Sequence, residues 1–515
     1  MYSKIFSGAA LGIGGMLITV ESDISMGLPG FCLVGYLASS VKEAGDRVRT
    51  ALKNSGYSIP SRRITVNLSP ADVRKEGAGF DLAIAISILI SMGEFSISSD
   101  FRKQLDQTIF LGELGLDGRV LPINGVLPIV DYAAENGIKR VVLPSENARE
   151  ASYIKNLEII PVNDLVDITQ IVRENKWSDT FHYSDIQDSY DTYDSIDFAD
   201  IRGQETMKRG VVIAVAGFHN ILMTGAAGSG KSMIAKCIPG IMPPLTYEES
   251  KELTKVYSVA GKLDSEVGLI KRRPFRSPGQ NVSENALLGG GRDPKPGEIS
   301  LATGGVLFLD EFPEYSRSVI ESLRQPMEDK EILISRIKGS YTFPARFMLV
   351  AARNNCPCGF YPDRTRCKCN AREIYNYQNR LSHPIMDRID IRLEISPVRA
   401  DELFGKSEGM NTEKAREIIQ TAREMQNKRY KDESFKFNSE IPQNKIDKYI
   451  RLGMEEEKMV KNYYEESGIS ARGYYRILRL ARTIADINGR EEINTIDIEE
   501  ATFFRNENGG KGGLC

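Results

Sequence analysis

Gly225-Ala226-Ala227-Gly228-Ser229-Gly230-Lys231-Ser232 is the stretch that decides the fold. The apolar run Ile221 to Met223 leads into it and the helical run Met233 to Cys237 leaves it. A strand, a glycine-rich turn and a helix in that order wrap backbone N–H groups around phosphate, with the positive end of the helix dipole behind them. Lys231 then reaches the terminal phosphates and Ser232 offers a hydroxyl to Mg²⁺. An α/β nucleotide fold that takes ATP and Mg²⁺ follows.

Further along, Val306-Leu307-Phe308-Leu309-Asp310-Glu311 reads as a buried parallel strand ending in two acids. In phosphoryl transfer to water, Asp310 holds the metal and Glu311 orients and polarises the attacking water. A third strand, Phe347 to Ala352, delivers Arg353, Asn354 and Asn355 to the same edge, where Asn354 can position the water from the other side. Two arginines stand at segment ends, Arg388 in Met386-Asp387-Arg388-Ile389-Asp390 and Arg472 in Ser470-Ala471-Arg472.

The chain has 515 residues, too many for one ordinary core, and is 41% hydrophobic and 27% charged. Residues 1–172 mix β-like runs (Met16 to Glu21, Arg63 to Leu68, Val141 to Leu143) with helical patterns (Ala38 to Lys53, Asp81 to Met92). Residues 173–200 form an acidic linker and residues 201–396 the nucleotide block. The span 397–505 is a helical lid with three-to-four spacing in Thr412 to Arg429, Ile446 to Ser467 and Ser470 to Asn488, and 506–515 is a flexible tail. No apolar run approaches the roughly 20 residues of a membrane span. The alternation in Met16 to Glu21 suits a strand better than a secretion signal, so the expected compartment is the cytoplasm. A net charge of -3 carries no overall nucleic-acid signature, leaving any DNA contact to local patches.

The order of these motifs resembles the AAA+ ATPases, in particular the magnesium-chelatase-like branch and its ComM/YifB family. The resemblance runs over nearly the whole chain, through GQETMKRGVVIAVAGFHN (203–220), the stretch around Asp310 from Pro294 to Asp329, VAARNNCPCG (350–359), LSHPIMDRIDIRLEI (381–395) and SARGYYRILRLARTIAD (470–486). It implies a homo-oligomeric ring, usually a hexamer, with ATP between subunits. Asn354 then becomes sensor 1, Arg388 the arginine finger offered to a neighbour's ATP, and Arg472 sensor 2 on the lid; Gln204 lies near the adenine. Two departures stand out. Ala226 and Ala227 replace the family's prolines and Ser232 its threonine, and Pro278 is followed by Gly279, Gln280 and Asn281 instead of a histidine pair and threonine.

The first block resembles the proteolytic domain of Lon, most clearly in GRVLPINGVLPIVDYAAENGIKRVVLPSENARE (118–150). Lon-type cleavage needs a serine activated by a lysine. Here the serine motif reads Lys75-Glu76-Gly77-Ala78-Gly79-Phe80 and the lysine position is Leu127, so a binding or ring-organising role is expected in place of proteolysis.

Of seven cysteines, Cys356, Cys358, Cys367 and Cys369 form two Cys-x-Cys pairs within an insertion at 356–369. Four thiolates suit a closed Zn²⁺ site, with reduced structural or redox cysteines as the alternative. Arg364, Arg366, Lys368 and Arg372 surround them and offer DNA a basic surface. Between the second and third strands, Glu331 to Ile337 and Tyr341 to Phe343 flank Lys338-Gly339-Ser340 as a β-hairpin. Lys338 with Arg336 could grip a phosphate backbone or be ordinary solvated charges. Two functions remain open at this point: a DNA helicase or branch-migration translocase serving natural transformation, single-stranded or branched DNA being its partner, and a protein-remodelling motor of chelatase or Lon type.

Overall fold

The computed structural model describes residues 2–177, 181, 196–336, 339–396 and 409–505. Most of the expected acidic linker, Lys338 of the expected hairpin turn and the expected tail at 506–515 lie outside the described residues.

Five parallel strands make the sheet that carries the nucleotide motif. They run Phe275–Arg276, Val306–Leu309, Met348–Arg353, Ile221–Gly225, Ile391–Ile395, so the first strand in sequence lies between the fourth and the fifth. Every residue of Val306–Leu309 is buried, as expected of a strand covered on both faces. A fully buried Phe or Leu there contributes about 1.5–3 kcal/mol. Helix Glu205–Gly217 and helix Lys231–Ile241 cover one face together with the C-terminal helices, while Leu309, Leu349, Ile385 and Ile389 belong to the core on the other.

The front block is a second mixed sheet. Its order is Gly30–Val34, Arg63–Ser69, Gly14–Ser25, Tyr2–Leu11, Thr108–Phe110, Arg140–Pro144, Glu158–Val162, antiparallel in the middle and parallel at both sides. Helix Asp81–Met92 is apolar all round and almost wholly buried, which makes it the spine of this block. The two blocks meet along helix Tyr247–Ala260. Lys251 and Lys255 each reach the buried Asp131 carboxylate at 2.5 Å, Gly125 N donates to Ser258 O, and Tyr247 Oη donates to Tyr153 O at 2.8 Å.

At the C-terminus, Thr412–Arg429 and Ala471–Ile487 are continuous helices. The periodic stretch from Ile446 to Ser467 divides into Ile446–Tyr449 and Met454–Ser467, because Gly453 takes the N-cap and three glutamates fill the first turn of the second helix. The chain enters the motor block through Phe198, fully buried beneath the lid. Asp197 Oδ1 accepts from Thr412 N and Thr412 Oγ1, and Phe198 N donates to Thr412 Oγ1 at 2.9 Å. The hairpin forms as Glu331–Arg336 paired with Gly339–Pro344, closing at Arg336↔Gly339. No helix among the described residues is long and apolar enough to cross a membrane.

Candidate nucleotide site

The strand Ile221–Gly225 ends at the sheet edge, and the loop after it turns through left-handed backbone at Gly228 (φ 77°) and Gly230 (φ 87°). Both positions require glycine. Lys231 then starts a helix, so its amide and that of Ser232 belong to the positive helix end. The Lys231 ammonium donates to Gly225 O and Ala226 O, both at 2.8 Å, and to Asn354 Oδ1 at 3.1 Å. Burial holds its pKa below the usual lysine value while the Asp310 and Glu311 carboxylates pull it back up.

Ser232 Oγ donates to Asp310 Oδ2 at 2.7 Å. A hydroxyl and a carboxylate presented together are hard oxygen donors, and the pair fits Mg²⁺, which keeps most of its waters and takes one or two protein oxygens. Glu311 follows in left-handed backbone (φ 50°), a conformation that costs a non-glycine residue about 1–3 kcal/mol. Its amide donates to Asp310 Oδ1 at 2.9 Å and its carboxylate accepts from Gln280 Nε2 at 2.6 Å. Beside them, burial and the Asp310 charge push the Tyr315 hydroxyl up to about 12.

Gln204 flanks the loop from below, donating to Ser396 O at 3.2 Å and lying 3.5 Å from Ser229 O. Its Oε1 is buried with no partner among the described residues, an acceptor that a donor such as an exocyclic amine would satisfy. The structure therefore brings Gln204, Gly225 to Ser232, Asp310, Glu311 and Asn354 to one locus.

Arg388 and Arg472 sit elsewhere, and together. Arg388 Nη2 meets Glu328 Oε1 at 2.6 Å, and Arg472 Nη2 reaches the same oxygen at 3.5 Å. The setting of Arg388 differs from that of a finger standing free: its side chain is 4% exposed and also donates to Pro384 O. Arg472 is 53% exposed. Its helix is docked by the Arg476–Asp390 ion pair, and Asp390, held far below its usual range by Arg476 and His219 despite burial, also accepts from Asn220 N. Sequence reasoning missed Glu328, Asp390, Asn220 and Gln280. The unusual Gly279-Gln280-Asn281 was the one available signal for the last.

The cysteines close into a knuckle. Sulfur separations are 3.4 Å (Cys356–Cys358), 3.7 Å (Cys356–Cys367) and 3.6 Å (Cys358–Cys367), and all four ligand atoms lie within 4.8 Å. A tetrahedron of about 2.3 Å zinc–sulfur bonds spaces its sulfurs about 3.8 Å apart, so the set fits one such ion. Among the described residues its apolar core comprises Cys356, Cys367 and Ile374, too little to offset ordering costs of about 1–2 kcal/mol per residue. Arg364 and Arg366 lie over the rings of Tyr361 and Phe360, with Arg366 also paired to Asp363 at 2.7 Å.

Three parts of the chain match magnesium chelatase family models: residues 197–403 the model of subunit ChlI, 20–147 a second model of that subunit, and 409–505 its C-terminal model. The chain is 38% identical to the competence protein ComM of Haemophilus influenzae over 506 residues, 97% of each chain. It is 37% identical to YifB of Escherichia coli over 505 residues, covering 98% of this chain and 97% of YifB. The front block is 32% identical over 168 residues to the Lon protease of Rhizobium meliloti, a match spanning 30% of this chain and 20% of that protein. The chain thus belongs to the ComM/YifB family, with a magnesium-chelatase-like AAA+ module behind a Lon-like front.

Proposed function

We propose that the protein is an ATP-hydrolysing ring motor that moves along DNA, a helicase or branch-migration translocase that promotes recombination during natural transformation in the cytoplasm. The observation that carries the ATPase reading is the convergence of Lys231, Ser232, Asp310, Glu311 and Asn354 at one sheet edge. Lys231 leaves its carbonyl partners to pair with the terminal phosphates. Ser232 and Asp310 hold Mg²⁺, which when bound neutralises charge on the phosphate oxygens. Glu311 takes the proton of the attacking water, Asn354 orients that water, and Gln204 receives the adenine amine. Arg388, paired on Glu328 away from this loop, leaves that carboxylate to serve the ATP of an adjoining subunit in a ring taken as a hexamer, and Arg472 acts as sensor 2 on the lid.

The DNA assignment rests on the hairpin bearing Arg336, on Lys338 in the sequence between its strands, on the basic, aromatic knuckle, and on the name of the Haemophilus relative. The Lon-like front supports a competing reading as a protein-remodelling motor, its serine–lysine pair replaced so that it binds without cleaving. Stimulation of ATP turnover separates the two. Single-stranded or branched DNA at low salt should accelerate hydrolysis, more weakly as salt rises. Acceleration by an unfolded protein but not by DNA would overturn the DNA reading.

A further inference from the structure

The cysteine knuckle does more than touch the nucleotide block: its backbone is bonded to the phosphate loop. Gly359, the residue after Cys358, accepts a hydrogen bond at its carbonyl from the Ala227 amide at 2.9 Å, and its own amide donates to Cys356 O at 3.0 Å. Gly359 is buried with φ 80°, and a Cβ there would lie 2.9 Å from the Ala227 Cβ. The two backbones are as close as glycine permits. At the other end of the same short segment, Asn354 holds the Lys231 ammonium at 3.1 Å. Asn355 between them donates to Tyr361 O at 3.2 Å, and Tyr361 N points back to Cys356 Sγ at 3.4 Å. The crest of the phosphate loop and its lysine are therefore both gripped by the stretch from Asn354 to Gly359, which includes two of the four thiols.

We propose that one Zn²⁺ held by Cys356, Cys358, Cys367 and Cys369 fixes the Gly359 carbonyl against the phosphate loop, so that metal occupancy sets nucleotide affinity. The ion replaces the hydrophobic core that this insertion lacks, and the rigidity it supplies passes through one turn to Ala227. Losing the metal frees Gly359 and lets the loop leave the shape that fits phosphate. This coupling rests on the ATPase reading above and adds a site of control to it.

The test uses the full-length protein. Elemental analysis should find one zinc per chain. Stripping it with a mercurial and chelator, followed by thiol reduction, should weaken Mg-ATP binding in calorimetry by about fivefold or more, the order expected for a lost backbone anchor. Adding back zinc should restore it. A protein purified without zinc, or a stripped protein with unchanged circular dichroism and unchanged affinity, would overturn the coupling. Gly359→Val keeps all four thiols and covers the case in which stripping unfolds the chain. It should retain one zinc and bind nucleotide more weakly, and full affinity in that variant would defeat the proposal. If the untreated protein holds zinc yet takes up no nucleotide, the ATPase reading itself is removed.

Discussion

The front and motor blocks are both mixed helix-and-sheet layers, yet they differ at their loops. In the motor block, three neighbouring strands deliver Gly225 and its loop, Asp310, and Asn354 to one edge, where each polar atom finds another. In the front block, the loop from Lys75 to Phe80 brings no hydroxyl or thiol. Lys75 turns inward, fully buried, with Nζ on Val73 O at 2.8 Å and its pKa lowered by burial. Leu127 is likewise fully buried, its amide donating to Glu150. A sheet persists wherever apolar faces are covered; chemistry requires particular atoms at the strand ends. One chain carries a magnesium-chelatase-like AAA+ module and a Lon-like front, and these loops differ in the polar groups they present.

Four experiments press on that contrast. The largest effect should come from Arg388→Ala, which should lower ATP turnover by about a thousandfold if the arginine serves a neighbour. Mixing it in equal parts with Lys231→Ala subunits should then restore roughly a quarter of the activity, the share of randomly mixed head-to-tail seams with both groups intact. Two dead variants that stay dead on mixing would place the arginine's role within its own subunit. Next, Glu311→Gln should retain ATP in a binding assay and lose about 10²–10³ in turnover, as removal of a positioned catalytic group does. Near-normal turnover would take Glu311 out of its role.

The front block should respond in stability. Leu127→Lys places an ammonium in a dry helix face and should cost more than about 3 kcal/mol. Trp177 is the single tryptophan of the chain and packs at a tilt with its ring centroid 4.9 Å from that of Phe101, beneath Arg140, so its fluorescence reports the melting of this block alone while ATP turnover reports on the other. An unshifted tryptophan transition would show that the position is more open than the structure has it. The smallest effect belongs to the seam. Burial first, then the hydrogen bond and charge of Asp293 opposite, raise Glu76 to about 7. A raised acid pKa adds stability that is full below the ordinary value near 4.5 and is lost as pH climbs through 7. Hydrogen exchange at residues 75–80, once divided by the intrinsic exchange rate at each pH, should therefore quicken between pH 6 and pH 8, and Glu76→Gln should flatten that dependence.

Much of this was legible locally. Asp81–Met92 and Thr412–Arg429 have the bounds their periodicity predicts, since each helix is held by its own apolar pattern and, at Thr412, by an Asn411 cap. The strand Val306–Leu309 announced itself by four apolar residues before two acids. What escaped depends on distant partners. Glu328 meets Arg388 across 60 positions, and Lys251 meets Asp131 across 120, so neither pairing leaves a mark on spacing. The break at Gly453 was visible in composition but hidden by a period that counts only apolar residues.

The staple of Asp197 and Phe198 onto Thr412 has a mechanical consequence. Tension that reaches Asp197 along the chain is resisted at the base of the long lid helix, by three hydrogen bonds and a sunken aromatic ring, and not at the phosphate loop. A load on the front would thus fall jointly on this staple and on the Asp131 ion pairs of helix Tyr247–Ala260 before it strained the phosphate loop.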